Sequence, residues 1–404
     1  MIRRECGGSR SLYKIALIVL CLLVLTGCWS RRELNDLMIV LGIGIDWEDG
    51  QYLVSFQVVN PSQISMQKRN EDRSPSSVFQ GRGRTIFEAA RSLTAEAPRK
   101  VYMGHLQMYV ISEELARKGI SDLIDNSIRD NENRMDFNVV IARGVKAQDI
   151  LRMYTPLEEL PTDSMQQSLR TSEKTWAPTV AITLDEVMNR LSGQGQELAL
   201  TGINLIGSPE MGESKKNIEK FFPPSRLRYE GIAVFKKDKL IGWLNQSESK
   251  GYTDITDKLQ STSVEIPCGS EKYVGIEITS SKTELETKLS KGKPEITIHM
   301  RTHANVVDRV CKNMDLSKPE TITRLQEETG RIVQKNSEEA VIRTQELKSD
   351  ILGFGSKLEK QHPEYWEKIK DRWNEEIYPQ LVVHYDCKVT IRQTGTIGNS
   401  TMRQ

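Results

Sequence analysis

The first twenty-eight residues constrain this chain more than any other stretch. Arg3, Arg4, Arg10 and Lys14 face a single acid, Glu5, and an uncharged run of eleven residues follows from Ile15 to Leu25. As a helix such a run reaches only about 17 Å at ~1.5 Å per residue, too short for a stable membrane span. A basic start followed by a short apolar core and small residues reads as an export signal, which places the folded part outside the cytoplasm.

Behind the run stands Leu25-Thr26-Gly27-Cys28. This resembles a lipobox, in which the cysteine thiol takes a diacylglyceryl group and becomes the new N-terminus after cleavage. The alternative is an uncleaved signal anchor with a chance cysteine. Cys28 is therefore the candidate lipidation site. Two or more acyl chains, at ~0.8 kcal/mol per buried CH₂, hold a protein durably on a bilayer. The segment expected to be removed is 1–27. It takes four bases and one acid from a total of +1, so residues 28–404 carry a formal charge near −2. A chain so near neutrality lacks the basic excess of a dedicated nucleic-acid binder. Mean hydropathy of −0.47 and 27% charged residues exclude a polytopic membrane bundle.

The remaining chain alternates strand and helix signals. Residues 38–46 and 52–60 form an expected hairpin about Asp49-Gly50, and 62–77 is a polar loop. Helices are expected at 85–97, at 113–128 with a break near Gly119, at 146–153, and at 178–191 with Pro178 in the first turn. Strands are expected at 105–112, 137–142 and 197–206. The Gly-, Ser-, Lys- and Pro-rich stretch 207–226 is read as a linker. It divides an N-terminal α+β region, 28–206 with two subdomains, from a C-terminal α+β domain, 227–395, followed by a tail, 396–404. In the second part strands are read at 227–235, 240–244, 263–266, 273–280, 295–307 and 381–391, and the stretch 284–289 is a further candidate. Helices are read at 252–259 and 363–377, with one long helix at 319–351. The fold class is α+β, with mixed or antiparallel sheets and packed helices.

Tests for chemistry give little. His299 and His303 have the i, i+4 spacing of a helical metal pair but lie in an alternating strand. There they stand about 13 Å apart, too far to share an ion, so no metal site and no cofactor is expected. Gly42-Ile-Gly44 and Gly193-Gln-Gly195 lack the third glycine and helix of a dinucleotide loop. Close packing of strands is the simpler reason for glycines at 42 and 44. There is no nucleophile elbow, and the paired acids such as Glu158-Glu159 and Glu375-Glu376 read as solvated helix faces. Trp366 and Trp373 are seven apart on one expected helical face, as core or as a ligand platform. Cys268 and Cys311 are spaced compatibly with a disulfide, buried free thiols being the alternative, and Cys387 is the other cysteine of the folded part. No catalytic residue emerges, and any ligand-binding residues are unassigned.

Several stretches resemble one family. Leu25-Thr-Gly-Cys-Trp29, Arg31-Arg-Glu-Leu-Asn-Asp-Leu37 and Ile39-Val-Leu-Gly-Ile-Gly-Ile-Asp46 are similar to the lipobox and mature start of Ger(x)C lipoproteins. These are the C subunits of nutrient germinant receptors of endospore-forming bacteria, of the GerA, GerB and GerK type. Gln57-Val-Val-Asn-Pro61, Gly83-Arg-Thr-Ile-Phe-Glu-Ala-Ala90, Glu230-Gly-Ile-Ala-Val-Phe235, Leu240-Ile-Gly-Trp-Leu244 and Tyr365-Trp-Glu-Lys-Ile-Lys-Asp-Arg-Trp373 continue the likeness. Cys387 stands where the family more often has another residue, which argues against a family-wide disulfide there. The resemblance implies a three-part α+β fold and attachment through acylated Cys28 to the outer face of the inner spore membrane. It implies assembly with membrane-embedded A and B subunits and a non-enzymatic role in the response to small nutrients. A stand-alone solute-binding lipoprotein is the alternative. An exported hydrolase would need an acid pair or nucleophile that the sequence does not offer.

Overall fold

The computed structural model describes residues 13–17, 36–60, 74–129, 134–269, 272–309, 311 and 314–393. Cys28 and most of the polar loop 62–77 lie outside them. Among the described residues no helix is long and apolar enough to cross a membrane.

Two sheets organise the chain. The first has nine strands: β1 (Leu37–Glu48), β2 (Gln51–Val59), β3 (Ser76–Gly83), β4 (Lys100–Tyr102), β5 (Met108–Ser112), β6 (Asn138–Ala142), β7 (Ala199–Ile206), β8 (Arg226–Lys236) and β9 (Lys239–Leu244). Their order is β3-β2-β1-β5-β6-β7-β8-β9, with β4 beside the start of β1. The hairpin of β1 and β2 turns at Asp49 and Gly50, both at positive φ, as a two-residue reversal of this twist requires. β1, β5, β6 and β7 run parallel, and β5 and β6 are buried at every residue. Helices therefore cover both faces, as a parallel sheet demands.

One face carries α1 (Ile86–Ser92), α2 (Glu113–Lys118), α3 (Ser121–Arg129) and, further along the chain, α6 (Leu184–Ser192). Tyr109 and Ile111 point into that core. Met108 and Val110 point the other way, into a separate core under α4 (Ala147–Leu151) and α5 (Pro161–Thr175). Gly42 is where α4 and α5 press on β1. A Cβ there would stand 2.6 Å from Thr162 Cγ2 and 2.9 Å from Leu151 Cδ2, so close packing is what the glycine supplies.

The second sheet has the order β10 (Thr262–Gly269), β11 (Lys272–Ser290), β12 (Lys293–Arg309), β13 (Val382–Gln393). One face packs on α7 (Gln246–Ile255) and the 28-residue α8 (Pro319–Glu346). The α+β expectation, with mixed sheets and a long C-terminal helix, is what the molecule has. The segment 207–226 joins neighbouring antiparallel strands of the first sheet, since β7 and β8 pair directly.

Four local readings change. α6 begins not at Pro178 but after Thr183, whose hydroxyl and Glu186 form a capping box. α7 begins after Asn245, capped the same way with Glu248, rather than at Tyr252. The strands expected at 273–280 and 284–289 are one strand, β11. The last helix is α10 (Pro363–Ile369), after α9 (Phe354–Gln361), and the backbone changes to short 3₁₀ and π turns before Ile377. α5 has no counterpart in the sequence reading.

Candidate functional site

Cys28, the one site residue singled out by sequence, lies outside the described residues. The other residues tested for chemistry fall into structural roles. Asp350, at the seam of the two sheets, accepts hydrogen bonds from the backbone N–H of Gly353 (2.8 Å), Phe354 (3.2 Å) and Gly355 (2.7 Å). It also accepts one from Trp373 Nε1 at 2.9 Å. Trp366 meets Trp373 edge-on with ring centroids 5.4 Å apart, and both rings are buried. The aromatic cluster is thus a core that locks α9 and α10 together, not an open platform.

His299 and His303 sit on β12. The His299 ring lies 3.0 Å from an Asp386 oxygen and 3.1 Å from a Glu286 oxygen. Arg301 also reaches Asp386. These contacts hold the Asp386 carboxyl down to about 2 and raise His299 above its ordinary value. Among the described residues no cluster of His, Cys, Asp or Glu is arranged to hold a metal ion.

Cys268 and Cys311 are joined as a disulfide with Cα atoms 6.3 Å apart, which decides between the two readings of that pair. Cys387 stays free and partly buried, its thiol pushed up to about 12 chiefly by burial.

The buried acids are not the pairs that sequence drew attention to. Asp46 accepts from the N–H of Ala147 (2.8 Å) and Gln148 (3.0 Å) at the start of α4. Asp254 accepts from the hydroxyls of Ser281 (2.7 Å) and Thr283 (3.4 Å). Burial raises both to about 6. Each fastens one element to the next.

The open feature is a groove of about 580 Å³ between α5 and β8, within the range of ligand pockets. Its floor is apolar, with Met153, Met165 and Ile203 continuing from the second core. The Tyr229 phenol donates to the Met165 carbonyl at 2.9 Å and ties the two walls. Leu157, 92% exposed, and Trp176 stand at the mouth. Arg143, Arg226 and Arg228 line the groove beside one acid, Glu230. Arg226 lies 4.2 Å over the Phe222 ring, and Lys250 stands 4.3 Å over Trp176. An apolar trough with a basic, aromatic rim can bind; with one carboxylate and no histidine in its lining it lacks the pair that acid–base chemistry uses. Sequence reading missed the groove because it missed α5. The signal present was Pro161 in the first turn with Met165 and Leu169 four apart.

A second concavity, of about 1080 Å³, lies between α7, α9 and the β11–β12 hairpin. It is polar, and the Lys282–Asp257 pair at its wall offsets its own charge.

Comparison with known proteins accounts for nearly the whole chain. Residues 30–205 match the family described as Spore germination protein N-terminal domain, and residues 230–395 match Spore germination B3/GerAC like, C-terminal. Spore germination protein KC of Bacillus subtilis (strain 168) is 31% identical over 395 residues, covering 96% of this chain and 97% of that protein. The chain belongs to the GerAC-type family of spore germination proteins. Spore germination protein B3 of the same organism is 25% identical over 95% of this chain and 98% of its own length. Among solved structures, the crystal structure of the GerBC protein superposes with a TM-score of 0.55 at 20% identity, covering 87% of this chain and 96% of that one. That likeness supports the fold. Within the family frame, the groove spans both matched regions: α5 comes from the first, and the second begins at Glu230 within β8.

Proposed function

We propose that this chain is a lipid-anchored, non-enzymatic C subunit of a nutrient germinant receptor. It sits on the outer face of the inner spore membrane and assembles with membrane-embedded A and B subunits. The observation that carries this reading is the end-to-end likeness to Spore germination protein KC, with both family regions in order. The basic start, short apolar run and Cys28 supply the anchor. Deletion of the gene is expected to abolish one nutrient response and spare germination by non-nutrient triggers. An unchanged nutrient response would overturn the role. Intact mass of membrane-extracted protein is expected to begin at diacylated Cys28. A free Met1, or tight membrane binding by Cys28→Ala, would overturn the anchor.

A further inference from the structure

β8 is bent at Glu230–Gly231. Gly231 has φ +72°, and the β7–β8 register shifts between Thr201 and Ile203, which marks a bulge. The consequence is an open edge. β7 pairs with β8 along its length, from Arg226 to Val234, but on the far side β9 pairs only from Ile232 to Lys236. Among the described strands, residues 226–230 have no neighbour on that side. Among the described residues the N–H and C=O groups that alternate away from β7 there pair with no strand, so the edge can take one.

This edge borders the groove. Residues 225–231 line it without interruption, as expected of a strand that presents its backbone as well as one face. Arg226 and Arg228 sit on the edge, and Arg143, stacked 4.6 Å over the Trp243 ring, lies beside Gly231 at its end. A second copy of the same edge would set arginine against arginine, which opposes self-pairing. A flat bilayer does not enter a trough between a helix and a strand.

We infer that residues 226–230 and the groove beside them dock an extended segment of a partner chain with alternating apolar and acidic residues. It pairs with β8 through its backbone. Its apolar side chains enter the trough beside Leu157, Met165 and Trp176, and its acids meet Arg143, Arg226 and Arg228. This deepens the receptor-subunit reading and rests on it, since the partner would be one of the membrane-embedded subunits.

The test uses the full-length chain in its native membranes. A photo-crosslinking amino acid at Arg228 is expected to capture a short acidic, apolar-alternating segment of a co-purifying membrane protein, identified by peptide mass. Amides 226–230 are expected to exchange about tenfold more slowly in the extracted assembly than in the isolated chain. Arg228→Glu and Leu157→Asp, both at exposed side chains, are each expected to lower partner recovery about tenfold. A crosslink to lipid or to a second copy would overturn the inference. So would an assembly that persists in both variants with unprotected edge amides, which leaves the receptor reading standing. No co-purifying membrane protein for the wild-type chain would overturn the receptor reading itself.

Discussion

The two sheets solve the same problem in opposite ways. The nine-stranded sheet is covered on both faces, so β5 and β6 are buried throughout and side chains feed two separate cores. The four-stranded sheet is covered on one face. β10 alternates buried and exposed residues along most of its length, and the outer side of β12 and β13 bears ionic groups such as His299, Arg301 and Asp386. Parallel strands joined by helical crossovers enforce the first arrangement, and long antiparallel hairpins permit the second. Stability in the first sheet should therefore rest on packing. In the second, ionic groups on the open face should matter little and covalent or buried ties more.

The seam is where the comparison is easiest to break. Ser349 Oγ donates to the Phe235 carbonyl, and the Glu197 N–H donates to the Asp350 carbonyl at 2.8 Å, so the two sheets share the Asp350 hub. Trp373→Ala removes a buried ring and a donor to that carboxylate. It is expected to cost about 3–5 kcal/mol. Urea unfolding followed by circular dichroism should show one transition moving as a whole. Two transitions, with only the C-terminal one displaced, would mean that the sheets unfold independently.

The disulfide is the tie peculiar to the four-stranded side. It closes a sequence separation of 43 residues between the end of β10 and the segment after β12. The double change Cys268→Ser, Cys311→Ser is expected to cost about 2–4 kcal/mol. In wild-type protein, alkylation without reduction should leave Cys268 and Cys311 unlabelled, and labelling at either would remove this tie. A structural disulfide also fits the export proposed from the basic, apolar N-terminal stretch.

How much of this was legible depends on which force wrote it. The hairpin turn at Asp49-Gly50 and the largely apolar buried strands were readable because local conformation and burial agree there. α5 was not, because only Met165 and Leu169 give it an apolar stripe among serines, threonines and glutamines. Its stability comes from tertiary contact with the sheet. β11 read as two strands because its alternation changes phase. Ile276 and Ile278 are buried, then the register shifts between Ile278 and Ser280, and Thr283 is buried next. A bulge looks like a turn in sequence. The groove required both α5 and the bend at Gly231, so no run of residues announced it. The cap signals at Thr183 and Asn245 were present and outweighed by Pro178 and by the apolar Tyr252.

A pH experiment sharpens the role of the buried tie between α7 and β11. The Asp254 carboxyl ordinarily titrates near 3.8 and is raised to about 6 by burial, despite the hydroxyls of Ser281 and Thr283. Between these values the folded chain keeps a proton that the unfolded chain has lost. Stability from this group therefore falls as pH rises from about 4 to about 6, by up to about 3 kcal/mol. Asp254→Asn should flatten that slope when unfolding is measured at steps of pH. A slope unchanged in the variant would assign the effect to Asp46 or Asp350, which are raised to about 6 as well.

The smallest effect is expected on the open face. Asp386→Asn removes the partner of His299 and Arg301, yet all three side chains are 31–49% exposed. Solvent and salt screen such a cluster, so the cost should be below about 1 kcal/mol and vanish in high salt. Its pH dependence has two sides. The depressed Asp386 contributes above the unfolded carboxylate value and loses this as pH falls towards about 2. The raised His299 contributes below the unfolded imidazole value and loses this as pH rises through its folded one. The pair should therefore matter most between about pH 4 and 6.5. Unfolding of Asp386→Asn at pH 5.5, in low and high salt, measures it. A loss of several kcal/mol that salt does not relieve would mean that this face is desolvated in the working molecule. The second sheet would then be covered on both sides like the first, by something outside this chain.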